Sequence, residues 1–175
     1  MWTKTWMSGL ALASIAALAG CGQQTAGVPL ASDAAALEET LGQRSDEGGY
    51  WPKSVQLGQN PTLGAVVLDG RGFTLYRFDK DSDAPPKSTC EGACARQWPP
   101  VLANEKITFQ NLSPSEIGVL NRRDGTQQVT IGGRPVYRYV KDIVPGQTNG
   151  QGAGKTWFAV APDGSKAGQK ANSGN

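Results

Sequence analysis

The sequence predicts an all-β domain: a small pseudo-symmetric sandwich or barrel built from two hairpin repeats, carried after a flexible N-terminal tether. Three observations predict it. Short apolar runs alternate with Gly- and Asp-rich turn signals, the pattern of short strands joined by tight turns. A 14-residue stretch, Leu68 to Asp81, returns 61 residues later as Val129 to Asp142. Residues 22–55 are rich in Gly, Gln, Ala and Ser and poor in large apolar side chains, so they bury too little surface to offset the entropy of ordering.

At the N-terminus, Lys4 is the only charge before Asp33, and residues 7–19 are apolar or small. That run is shorter than the roughly 20 residues needed to span a bilayer. A charged start, a short apolar run and small residues at its end read as a secretory signal peptide over residues 1–20. It ends in Leu18-Ala19-Gly20-Cys21, which resembles the bacterial lipobox, whose cysteine thiol takes a diacylglycerol and becomes the new N-terminus. Two or more acyl chains give durable anchoring where one is marginal. Cys21 is therefore the expected lipidation site, residues 21–55 the tether, 56–164 the folded domain and 165–175 a disordered tail. Within the tether, Ser32 to Leu41 has the caps of a short helix, Ser32 before it and Gly42 after.

After Pro61 the texture changes. The run Leu63 to Leu68, the turn signal Asp69-Gly70 and the run Phe73 to Phe78 read as a β-hairpin. The same grammar returns in Gln127 to Ile131, Gly132-Gly133 and Val136 to Val140, and a last strand is expected at Thr156 to Ala161. Ser113-Pro114-Ser115-Glu116 has the form of a capping box with proline at the first position. Gly118 and Val119 limit it to a single turn.

In the 61-residue alignment Gly72 meets Gly133, Tyr76 meets Tyr137, Arg77 meets Arg138, Lys80 meets Lys141 and Asp81 meets Asp142. Phe78 meets Tyr139, keeping an aromatic ring, and a tryptophan follows each aspartate, Trp98 and Trp157. The unit is a hairpin, Tyr-x-aromatic-x-x-Asp, a loop, then Trp. Two copies suggest a domain in which each half covers the other's apolar face.

The segments Tyr76-Arg77-Phe78-Asp79-Lys80-Asp81 and Tyr137-Arg138-Tyr139-Val140-Lys141-Asp142 resemble a family of bacterial lipoproteins with a Tyr-x-(Phe/Trp/Tyr)-x-x-Asp motif, also described as secreted repeats of unknown function. Further similarities are Ser88-Thr89-Cys90 with Cys94, Trp98-Pro99-Pro100, and Gly133-Arg134-Pro135-Val136-Tyr137. The resemblance runs from about residue 61 to 164. It implies a cell-envelope location and no established activity.

Strand alternation places Tyr76 and Phe78 on one face, and Tyr137 and Tyr139 likewise. Such pairs read as core, with Asp81 and Asp142 tying down turns through backbone N–H groups. The functional alternative is a Tyr-lined groove with an aspartate at its mouth, binding a glycan or small ligand. Cys90 and Cys94 would be oxidised outside the cytoplasm. They read as a structural clip, with a redox-active disulfide as the alternative, although the spacing differs from the Cys-x-x-Cys of thiol oxidoreductases.

The absence of histidine removes Ser-His-Asp catalysis and imidazole metal sites. A formal charge of +2, about +1 once Lys4 is cleaved away, gives no electrostatic case for nucleic acid. Gly150 to Thr156 lacks the first glycine of a P-loop, and a strand rather than a helix is expected after it. The alternating Asp79, Asp81 and Asp83 do not continue as an EF-hand loop, although an irregular Ca²⁺ site stays open. No cofactor and no metal are expected. The sequence points to a membrane-anchored envelope module that binds an unidentified protein or ligand rather than catalysing a reaction.

Overall fold

The structure is a computed structural model that describes residues 44–46 and 48–169. The signal peptide, Cys21, the Ser32–Leu41 helix and residues 170–175 lie outside the described residues. The fold is all-β. Its elements are β1 Ser54–Asn60, β2 Gly64–Asp69, β3 Tyr76–Phe78, β4 Ser82–Asp83, β5 Pro86–Lys87, α1 Ala93–Gln97, β6 Thr108–Gln110, a 3₁₀ turn Pro114–Glu116, β7 Ile117–Asn121, β8 Gln127–Ile131, β9 Arg134–Pro135, a 3₁₀ turn Ala153–Lys155 and β10 Trp157–Ala159.

The two copies are legible in the strand pairing. β1 and β2 form an antiparallel hairpin in register from Val55↔Asp69 to Asn60↔Gly64. β7 and β8 form its counterpart, from Ile117↔Ile131 to Asn121↔Gln127. After each, the chain reverses again. In the first copy the Phe73 carbonyl accepts from the Asp69 N–H, closing a turn over residues 70–72. In the second, Ile131 pairs with Arg134 across Gly132 and Gly133 alone, both left-handed at φ 54° and 75°. Two left-handed residues make a primed turn whose twist matches the flanking strands.

The second turn is thus one residue shorter, which corrects the uniform 61-residue offset. Before the turn Val67, not Leu68, is the counterpart of Val129. The backbone bonds show it. Val67 N–H donates to Val160, Val160 N–H to Leu75, and Leu75 N–H to Val67, a closed ring of three at 2.9, 3.0 and 2.9 Å. Val129, Val101 and Val136 repeat the ring: Val129 N–H donates to Val101, Val101 N–H to Val136, and Val136 N–H to Val129. All six side chains are fully buried.

Each ring takes two residues from one copy and the third from the other. The segment carrying the tryptophan is exchanged. β10 lies antiparallel on β3, Trp157 opposite Phe78. The first copy's Trp98-Pro99-Pro100 segment lies on the second copy, with Arg138 N–H donating to Pro99 and Pro100 bridged to Tyr137. The β10–β3 sheet is therefore shared between the two copies.

Alternation along these strands buries both faces. Leu75 and Val136 belong to an aliphatic core with Val55, Val67, Val101 and Val129. Their neighbours Tyr76 and Tyr137 belong to an aromatic core with Phe78, Trp98, Tyr139 and Trp157.

The folded body is longer at both ends than the expected 56–164. Tyr50 is buried and bridges both Arg44 and Val101, and β1 begins at Ser54, so the folded body includes residues from Arg44 on rather than starting at 56. Lys166 bridges Val160 and Ala167 is buried against the aromatic core, so the folded body continues past 164. Single buried residues in polar surroundings, Tyr50 and Ala167, carry these extensions, and composition averages them away. The Ser113 start gives one 3₁₀ turn without the capping box, since Ser113 Oγ lies 2.8 Å from Ser115 Oγ and makes no cap bond.

Gly132 offers a test of the turn. A Cβ there would stand 2.0 Å from the Asp163 carbonyl oxygen, a backbone atom that cannot step aside alone. Left-handed backbone costs an L side chain roughly 1–2 kcal/mol before that clash. Gly132→Ala should therefore lower stability by more than about 2 kcal/mol in urea unfolding; an unchanged midpoint would contradict the turn.

Candidate functional site

Tyr76 and Tyr137 lie side by side where the two copies meet. Each N–H donates to the other's carbonyl, at 2.8 and 2.9 Å. Neither side chain is exposed. The two motifs are therefore related by an approximate twofold through this backbone pair.

Their hydroxyls cross. Tyr76 Oη–H donates to Asp142 Oδ2, and Tyr137 Oη–H to Asp81 Oδ2, both at 2.5 Å. Each tyrosine thus bonds the aspartate of the other copy, not the one five residues along its own motif. The second carboxylate oxygen holds the local loop. Asp81 Oδ1 accepts from Thr89 N–H and Oγ1, and Asp142 Oδ1 from Asn149 N–H. Short bonds to an ionised acceptor are among the stronger ones in proteins.

Burial and the neighbouring carboxylate push both tyrosines well above their ordinary pKa. Burial also raises Asp81 and Asp142, although the tyrosine bonds and the loop N–H groups pull them back. Ser88 Oγ lies 2.8 Å from the Tyr137 oxygen and accepts in turn from Arg122 Nη1. The phenol proton is committed to Asp81, so Ser88 donates here. Arg122 also donates to the Gln128 amide oxygen at 2.6 Å and the Cys90 carbonyl at 3.0 Å.

The remaining motif rings form one stack, Phe78–Trp157–Trp98–Tyr139, with centroids 4.2, 3.9 and 4.0 Å apart. The copies alternate along it. Trp98 and Trp157 are parallel to within 2°. Tyr76 meets Trp98 edge-on at 5.5 Å, and Tyr137 meets Trp157 edge-on at 5.2 Å. Gly150 permits this approach, since a Cβ there would lie 2.7 Å from the Tyr76 ring. The glycine-rich segment is thus packed at its start, and the role of Gly150 is clearance.

Cys90 and Cys94 form the disulfide, with Cα atoms 5.2 Å apart. Cys90 is buried in the aromatic core and Cys94, in α1, is half-buried. The bridge therefore pins the loop between Asp81 and Trp98. Asp79, Asp81 and Asp83 do not converge: Asp79 pairs with Arg77 and Lys166, Asp81 with Tyr137, Asp83 with Arg134. Among the described residues no three His, Cys, Asp or Glu side chains are placed to share a metal ion.

The model of a family described as a secreted repeat of unknown function matches the chain twice, over residues 59–102 and 118–161. The chain belongs to that family. Each matched segment runs from a hairpin to just past its exchanged tryptophan strand, so one secreted repeat in sequence is not one folding unit in space. No curated protein and no solved structure matches the chain. Among the described residues no helix is long and apolar enough to cross a membrane.

The secreted repeat also holds a polar group that sequence reading missed. Arg138 is 1% exposed and its guanidinium donates to Asp69 Oδ2 at 3.1 Å and to the Asp142 carbonyl at 3.0 Å. It lies 3.6 Å over the Phe73 ring, and Tyr50 Oη donates to the same Asp69 oxygen at 3.2 Å. Its counterpart Arg77 instead reaches the Gly164 carbonyl and Asp79 from a half-buried position. Identical residues in the alignment thus have different partners; Arg138 had no sequence signal beyond its identity with Arg77. The symmetry breaks at the sheet edges too. β6 runs parallel to β1, while the equivalent edge of β7 borders an open groove of about 380 Å³ lined by Ile107, Phe109, Ile117 and Val119.

Proposed function

We propose that this chain is a lipid-anchored envelope module that acts by binding rather than by catalysis, with the Tyr-x-aromatic-x-x-Asp motif as its framework. The observation that supports this reading is the crossed pairing of Tyr76 with Asp142 and Tyr137 with Asp81. The motif's hydroxyls and carboxylates hold one another in the core, and its rings pack together. A groove lined by exposed tyrosines, the alternative reading, needs the opposite arrangement. What remains for a partner is the outer surface, which includes the open, largely apolar groove beside β7. Val119 at its rim is 51% exposed.

Anchorage rests on Leu18-Ala19-Gly20-Cys21, with the intervening residues up to Arg44 as the spacer. Cys21→Ser should abolish incorporation of labelled fatty acid and leave a precursor that stays in the aqueous phase on detergent partitioning. Normal labelling of that variant would remove the anchor from the account. The thiol-disulfide alternative is tested alongside it: a Cys90–Cys94 bridge that stays oxidised in a glutathione buffer fits the framework, and one that exchanges readily fits redox work.

A further inference from the structure

The aromatic core has a property that packing alone does not require. Two indoles and a phenol are stacked in van der Waals contact, and each indole meets, edge-on, a phenol whose proton already points at a carboxylate. Electronic overlap falls steeply with distance, so rings 3.9–4.0 Å apart exchange electrons readily. A buried phenol, by contrast, gives up an electron only if its proton has somewhere to go, because a charged phenol radical cation is costly in an apolar core. A positioned carboxylate removes that obstacle as a general base does.

We propose that this core is a one-electron relay, in which an oxidising equivalent received by Trp98 or Trp157 passes to Tyr76 or Tyr137. The co-reactant is a strong one-electron oxidant at the domain surface, an oxygen-centred radical or a high-potential metal complex. It removes one electron from the indole and is itself reduced. The phenol then returns an electron to the indole radical cation. The phenol O–H bond breaks, its proton moves to Oδ2 of Asp142 or Asp81, and a neutral phenoxyl radical and a neutral carboxylic acid remain. Charge is conserved at each step, and the protein has lost one electron in total. A one-electron reductant restores the phenolate electron, and the proton returns along the same 2.5 Å bond.

The geometry also sets the direction. The proton transfer runs over a bond already formed, so no group has to move. Burial raises Asp81 and Asp142 above ordinary aspartates, which makes them better proton acceptors. The stack ends are Phe78 and Tyr139, at 9% and 7% exposure, so the relay lies close enough to solvent for an outside oxidant to reach it. The proposal is independent of where the protein is anchored.

The test uses the full chain with Trp2→Phe, Trp6→Phe and Trp51→Phe, so that the stack holds the remaining tryptophans. Flash-generated ruthenium(III) tris-bipyridine serves as the oxidant, and transient absorption follows the tryptophan and phenoxyl radicals. The expected result is a tryptophan radical that decays as a phenoxyl radical grows, with the growth slower in D₂O. In the double variant Asp81→Asn, Asp142→Asn, with folding checked by near-ultraviolet circular dichroism, that growth should slow by roughly tenfold or more, since a positioned base is commonly worth about 10²–10⁴ in rate. Absence of a phenoxyl signal, or growth at the same rate in H₂O and D₂O, overturns the proposal even if the double variant does not fold. Growth at full rate in a folded double variant overturns it too, because the radical then sits on Tyr50 or Tyr139.

Discussion

Trp98→Ala should destabilise the domain by about 3–5 kcal/mol, the usual cost of removing a large buried aromatic side chain. Trp98 is 4% exposed and sits second from one end of the stack, between Trp157 at 3.9 Å and Tyr139 at 4.0 Å, with the Tyr76 ring against its edge. Each aromatic contact adds about 0.5–1.5 kcal/mol beyond burial, so the upper part of the range is expected. Because Trp98 belongs to the exchanged segment, its loss loosens both copies together. Urea unfolding should show one transition moved to lower concentration, not two. Val119→Ala, at an exposed position on β7, should change stability by less than about 0.5 kcal/mol and serves as the control. Equal effects of the two substitutions would contradict the packing described here.

Alkaline pH should unfold the protein steeply. Tyr50, Tyr76 and Tyr137 are all buried, and burial raises the pKa of each well above the ordinary tyrosine value. A raised folded-state pKa means that the stabilisation is fully present below the unfolded value, about 10, and is lost as pH rises above it. Between about pH 10 and the raised folded values, three protons are released on unfolding. Stability then falls by about 4 kcal/mol per pH unit, three times the 1.36 kcal/mol that one proton contributes. A domain of ordinary stability, about 5–15 kcal/mol, loses much of it within two pH units. Tyrosinate absorbance and near-ultraviolet circular dichroism should change together in one cooperative step. Gradual ionisation of these tyrosines near pH 10 in a folded protein would show that they are not buried as described.

Asp81 and Asp142 act in the acid range with the same sign. Their raised folded-state values favour the native state as pH falls towards the ordinary aspartate range. The turn residues Asp124 and Asp163 oppose this. At Asp124 desolvation is outweighed by hydrogen bonds from Thr126 and the nearby Arg122, and Asp163 is lowered by hydrogen bonds from Ser165, so their contribution is lost on further acidification.

Much of this architecture is legible in the sequence because it is local. β8 coincides with the expected Gln127–Ile131, and β10 lies within Thr156–Ala161. The Asp69-Gly70 and Gly132-Gly133 turns stand where their residue types demand. What was not legible has physical reasons. β1 reads Ser-Val-Gln-Leu-Gly-Gln-Asn, and only two of its side chains are large and apolar, so it resembles the tether before it. β7 follows the Ser113 helix start and carries Gly118, two signals against a strand, yet backbone pairing with β8 prevails. The exchange of partners is the deeper omission. Tyr76 lies five residues from Asp81 and 66 from Asp142, and the motif is the same in both copies. Nothing in a repeated pattern says which copy supplies the partner; that follows from the exchanged tryptophan strands, which turn each tyrosine towards the other loop.

The crossing is the central claim, and a pair of double-mutant cycles tests it. Tyr76→Phe combined with Asp142→Ala should show a coupling energy of about 1–3 kcal/mol, as expected for a buried hydrogen bond to a carboxylate. Tyr76→Phe combined with Asp81→Ala, the pair within one motif, should be additive to within about 0.5 kcal/mol. Strong coupling of Tyr76 to Asp81 with none to Asp142 would mean that each copy closes on itself, and would contradict the fold at its centre.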